Sequence, residues 1–175
     1  ISFAILAGFA FRAQARDKVA FADIQSILNY MPETKTMSQT LQTYGEKLDQ
    51  SIKPKAEIFQ QKRVALQEWA QANPDATQEQ ANPKIAELEK LQKELQTESA
   101  QAERRLAEKQ AELMTPITEK LEKAVKDVSE GAGYNVVLNR TDGSGVSIVR
   151  YGPPERNLTK QIMQKLGIKL PEGGR

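Results

Sequence analysis

Glu87, Glu89, Glu94, Glu98 and Glu103 form a run of carboxylates, the side chains of this sequence best suited to acid–base chemistry. Two carboxylates can share general acid and base roles when burial or a neighbouring charge drives their pKa values apart. These five alternate with Lys90, Lys93 and Arg104-Arg105 in a strongly polar stretch. That pattern reads as a solvated helix face carrying Glu/Lys pairs at three- and four-residue spacing. The chain has no histidine and no cysteine, which excludes thiol nucleophiles, Cys/His metal sites and histidine-based triads. We therefore assign no catalytic, cofactor or metal site and expect a protein that is not an enzyme. Lys+Arg 25 against Asp+Glu 23 leaves a formal charge of +2, with both signs interspersed. Nucleic-acid binding needs a concentrated basic patch, so no nucleic-acid partner is expected.

The elements that carry these charges are set by two apolar stripes. One reads Met37, Leu41, Tyr44, Leu48, Ile52, Phe59, Leu66, Trp69. The other reads Ile85, Leu88, Leu91, Leu95, Ala102, Leu106, Leu113, Ile117, Leu121, Ala124, Val128. At about 100° per residue each stays within a narrow helix face. Asn73-Pro74-Asp75 through Asn82-Pro83 breaks the helical run between them. Two such stripes fold back as an antiparallel coiled-coil pair with its tip near 73–83. Met37, Leu48, Phe59, Ala70 and Leu95, Leu106, Ile117, Val128 step by eleven residues, which predicts straight or slightly right-handed helices. Helices of about 40 and 45 residues reach about 60–70 Å, too thin to bury a globular core. With 27% charged residues and 6% aromatics, the composition suits an extended helical protein.

The chain ends read differently. Ile1–Phe11 is apolar throughout, and Ala13-Gln14-Ala15 follows. This matches the apolar core and small-residue cleavage site of a secretory signal over residues 1–15, and it is too short to span a bilayer. Lys18–Asp23 is β-rich, Asp23 can cap a short helix Ile24–Tyr30, and Pro32 with Glu33 suits the first turn of the long helix. Gly131 and Gly133 stop the second helix. Tyr134–Leu138 and Val146–Tyr151 read as a strand hairpin across Thr141–Gly145, and Asn157 can cap a last helix through Leu158, Ile162, Met163 and Leu166. The expected fold class is α+β and mostly α: a helical hairpin arm (32–131) projecting from a small β-rich body (16–31 and 132–175). Val19, Phe21, Val136, Leu138 and Ile148 are its expected body-strand residues. Strands this short need partners, and self-association closes their edges most simply.

Lys18-Val19-Ala20-Phe21-Ala22-Asp23-Ile24-Gln25-Ser26-Ile27-Leu28, the charged helical hairpin, Gly133–Leu138 and Asn157-Leu158-Thr159 together make the chain resemble the Skp/OmpH family of periplasmic chaperones. The resemblance covers Arg16–Leu170. It implies a homotrimer with a central β-body, helical arms enclosing a cavity for unfolded outer-membrane proteins, and ATP-independent holdase action in the periplasm. It also implies transient contact with the outer-membrane assembly machinery or the membrane surface. Asn157 stands where the family usually has Asp, and the near-neutral charge departs from the strongly basic members, so no lipopolysaccharide site is carried over.

The apolar residues off the seam are the candidate client contacts: Ile58, Val64, Trp69 and Met114. Ile58 and Trp69 have a second reading, as residues that pack the hairpin, and Val64 has one as an ordinary exposed side chain. Pro54 and Pro116 each remove one helix hydrogen bond and read either as arm bends or as static kinks. The rival readings are a membrane-anchored structural coiled-coil stalk without chaperone activity and a prefoldin-like cytosolic chaperone.

Overall fold

The computed structural model describes residues 18–169. Its elements are β1 (Val19–Ala22), α1 (Ile24–Tyr30), α2 (Pro32–Ala72), α3 (Gln78–Gly131), β2 (Val136–Asn139), a 3-10 turn at Pro154–Arg156 and α4 (Thr159–Lys165). The fold is mostly α, with one two-stranded sheet. Backbone contacts divide the chain into a hairpin unit, Asn29–Lys120, and a terminal unit of the residues before and after it. Ile1–Phe11 and the Ala15 cleavage signal lie outside the described residues.

In the terminal unit, β1 and β2 run parallel, with Val19 opposite Val136 and Ala22 opposite Asn139. On its other side β1 bridges Asn157 in parallel, and the Leu158 amide donates to the Phe21 carbonyl at 2.9 Å. Being flanked on both sides, β1 is buried at Ala20, Phe21 and Ala22. Ile27, Leu121, Ala124, Leu158, Ile162 and Met163 complete the core of this unit. Local chemistry sets the boundaries. Asp23 Oδ1 accepts the Ser26 amide at 2.9 Å and caps α1. Gly133 adopts φ +73°, while the Tyr134 amide reaches back to Ser129 O and the Gly133 amide to Glu130 O, the paired bonds that end a helix on a left-handed residue. Asn157 Oδ1 accepts from the Thr159 amide at 3.1 Å and leads into α4.

Two expectations are corrected. Val146–Tyr151 does not form a strand, and the expected hairpin is reduced to one antiparallel bridge, Thr141 with Ser147. The amides of Ile148 and Val149 both donate to the Arg140 carbonyl, at 2.9 and 3.2 Å. Two residues opposite one acceptor end the ladder as a bulge does. Ile148 is therefore not a body-strand residue, and it is 58% exposed. The turn itself forms as read: Asp142 Oδ1 accepts from the Ser144 amide, the Ser144 hydroxyl and the Val146 amide. The Ser144 hydroxyl, chiefly, holds the Asp142 carboxyl below the usual carboxylate range.

The second correction is the tip. Only Asn73–Thr77 separates the helices, and Asn82-Pro83 lies inside α3. The Thr77 amide donates to Gln80 Oε1 at 3.0 Å, while the Thr77 carbonyl accepts from the Gln80 and Ala81 amides. A threonine followed three residues later by glutamine starts a helix, and the missing Pro83 N–H costs a single hydrogen bond. The helices consequently contain 41 and 54 residues.

Candidate functional site

The hairpin unit is held in antiparallel register by cross-helix contacts of opposite charge. Lys120 pairs with Glu33. Lys55 pairs with Glu94 at 3.1 Å and also with Glu98, and Lys62 pairs with Glu87 at 2.7 Å. Near the tip, Lys84 Nζ stands 5.4 Å from the centre of the Trp69 ring. The paired residue numbers add to 149–153 in every case, so one register runs the length of the unit without a slip. On each helix the ion-paired residues lie at the seam or on the side of the residue preceding each seam position. In antiparallel helices these sides meet along a single edge.

The seam follows the stripes. Leu41, Tyr44, Leu48, Ile52, Phe59, Leu66 and Trp69 on α2 are half-buried, as are Leu88, Leu91, Leu95, Ala102, Leu106 and Leu113 on α3. Met37 and Ile117 are buried. Ala70, assigned to the eleven-residue series, is exposed, and Trp69 takes the seam position. Ile85, assigned to the second stripe, is 39% exposed.

The candidate client contacts do not converge on one point. Ile58 is 45% exposed and Val64 48% exposed, and their six-residue separation puts them on different faces of α2. Trp69 is half-buried beneath Lys84, and Met114 is half-buried on α3. Pro54 and Pro116 lie within helices that continue through them, and both are exposed. The exposed Ile85 flank was not foreseen. A second feature that pattern reading missed is a notch of about 300 Å³ between the helices, bordered by Leu48, Ile52 and Ala102. Ala102, the one alanine of its stripe within the hairpin unit, was the available signal.

The hydrogen bond from Lys120, chiefly, lowers the Glu33 carboxyl below its ordinary value. Glu98 and then Glu94 raise the Lys55 ammonium. Glu33, Glu94 and Glu98 are thus engaged in charge pairing across the hairpin. Among the described residues no helix is long and apolar enough to cross a membrane, and no cluster of acidic residues has the grouping needed to hold a metal ion.

A family model described as outer membrane protein (OmpH-like) matches residues 18–166, a span that includes the hairpin unit and nearly all described residues of the terminal unit. No curated protein matches the chain at a significant level.

Proposed function

The chain belongs to the OmpH-like family, and on that premise we propose that it is an ATP-independent periplasmic holdase for unfolded outer-membrane proteins. The observation that carries this reading is the match across residues 18–166, which takes in the charge-latched hairpin as well as the strands. An unfolded membrane-barrel segment exposes alternating apolar residues over about ten positions, and its hazard is edge-to-edge aggregation. A protein that holds such a segment without nucleotide chemistry works through many weak contacts whose combined retention remains reversible.

In this reading residues 1–15 are a cleaved signal and 16–31 with 132–175 form the oligomerisation body. The hairpins of three chains enclose the client. Ile58, Val64, Trp69 and Met114 contact it, and Pro54 and Pro116 let the hairpins adjust to clients of different size. Release follows when the outer-membrane assembly machinery or the membrane surface competes for the client. The exposed Val136 and Leu138 of β2, together with Val146, Ile148 and Tyr151, support self-association, because large apolar side chains on the same small unit are candidates for an interface.

The test is light-scattering mass of the purified Arg16–Arg175 chain, before and after a urea-unfolded outer-membrane protein is diluted into it. A mass of three chains that rises to a soluble complex with one client is expected. A monomer or dimer that leaves the client to aggregate would overturn the proposal in favour of a structural stalk.

A further inference from the structure

Along the ion-paired edge of the hairpin unit, charges are matched at Glu33–Lys120, Lys55–Glu94/Glu98 and Lys62–Glu87. Between the first two of these positions the described residues form no cross-helix ion pair, and there the surface opens into the notch of about 300 Å³. Half-buried Leu48, Ile52 and Ala102 make a small aliphatic floor, while Glu98 with the exposed Ser51, Gln101 and Arg105 makes most of the notch surface polar. The opening has a simple origin. The stripe of α3 supplies Leu95, Leu106 and Leu113 on either side but only a methyl group at Ala102, so the space a leucine side chain would fill is left free. Arg105 makes no ion pair among the described residues, whereas its neighbour Arg104 is tied to Glu108 at 2.8 Å.

We infer that this notch is a subsite for one aromatic side chain of the bound client, with Arg105 as the group that covers the ring. The inference rests on the proposed chaperone function and specifies what the hairpin recognises. A cavity of about 150 Å³ admits a benzene ring, so the notch holds a ring with room for its stem. A free planar guanidinium beside an aliphatic floor suits a ring face, which carries the negative part of the aromatic quadrupole. Glu98 also lines the notch but is paired with Lys55, so an acidic occupant is the rival that the salt dependence of binding separates from a ring. Gln101 and Ser51 offer hydrogen-bonding groups to a phenol or indole. The clients supply the matching chemistry, because outer-membrane barrels carry girdles of aromatic residues at both membrane interfaces. Unfolded, each presents many such rings along an extended chain.

The experiment uses the full chain and two urea-unfolded clients: an outer-membrane barrel protein and the same protein with its girdle aromatics replaced by leucine. Ala102→Leu narrows the notch at its floor and Arg105→Gln removes the cation. Ala102→Leu should melt no lower than the parent and hold the aromatic client roughly 3–10-fold more weakly, with Arg105→Gln weaker by roughly 2–5-fold. Both losses should vanish with the leucine-substituted client. If the parent holds the client and both variants hold it equally well, the subsite is wrong while the chaperone reading stands. Equal losses on both clients would also overturn it, pointing to a general apolar contact or, if salt abolishes the Arg105→Gln effect, to an acidic group. A parent that holds neither client removes the chaperone reading and the subsite together. Should Ala102→Leu melt lower, the Arg105→Gln comparison across the two clients decides alone, since that residue is exposed.

Discussion

Lys55 touches two carboxylates of the facing helix, Glu94 and Glu98, and this gives the hairpin unit a defined pH window. Its ammonium pKa is raised above the ordinary 10.5, so its stabilisation is complete below that value and lost as pH rises through the raised one. The Glu33 carboxyl is lowered below the ordinary 4.5; its contribution is complete above that value and lost as pH falls through the lowered one. Thermal melting followed by circular dichroism should therefore vary little between about pH 5 and 10 and decline on either side. Lys55→Met should reduce the alkaline decline, and an unchanged alkaline limb would show that the pair contributes nothing. Gly152 poses a packing test: a Cβ there would overlap the Phe21 ring. Gly152→Ala should destabilise the terminal unit by about 1–3 kcal/mol, read as a lower denaturation midpoint. The cap at Asp23 and the stop at Gly133 were legible in the sequence because each is decided within five residues. The Lys55 pairings were not, because they depend on which residues of a distant helix come alongside.

At the scale of elements, a short-range signal outweighed a familiar breaker. Pro83 argues against helix, yet Thr77 and Gln80 begin α3 five residues before it. Gln80→Ala should speed amide exchange in the first turn of α3 while leaving the melting temperature nearly unchanged, since the bond is exposed and worth about 0.5–1.5 kcal/mol. The opposite failure occurred at Val146–Tyr151, where β-rich residues form no strand: propensity describes a half-buried pleated surface, and Val146, Ile148 and Tyr151 are exposed in this chain. Pro54 separates two readings of α2. Pro54→Ala restores one backbone bond and should stabilise the helix by about 1–3 kcal/mol. Solution scattering that shows a narrower spread of hairpin tips would support a bend, and an unchanged spread would count against it. The stripes were legible throughout most of their length because burial follows helical periodicity, and they misled at Ile85, which lies two turns into α3 and is exposed.

For the whole molecule, the pieces specified by local rules and those specified by distant partners separate cleanly. The two long helices, their polarity and the strand segments at Val19–Ala22 and Val136–Asn139 could be read from periodicity and turn residues, whereas the parallel pairing of those two segments could not. The notch at Ala102 and the register of the ion pairs could not, since each is a property of two helices together. The parallel sheet has a further consequence. Val19 and Val136, like the three pairs after them, stand 117 positions apart in the chain. During synthesis β1 emerges long before the strand it needs, and closing so wide a loop is slow compared with forming helices and the hairpin between them. The sheet should therefore be the last structure acquired. In pulse-labelled amide exchange during refolding, amides of α2 and α3 should gain protection before those of β1 and β2, and simultaneous protection would contradict this order. A chain cut off anywhere before Val136 would carry its first strand unpaired, which makes emergence of the segment beyond α3 the event that permits the terminal unit to fold.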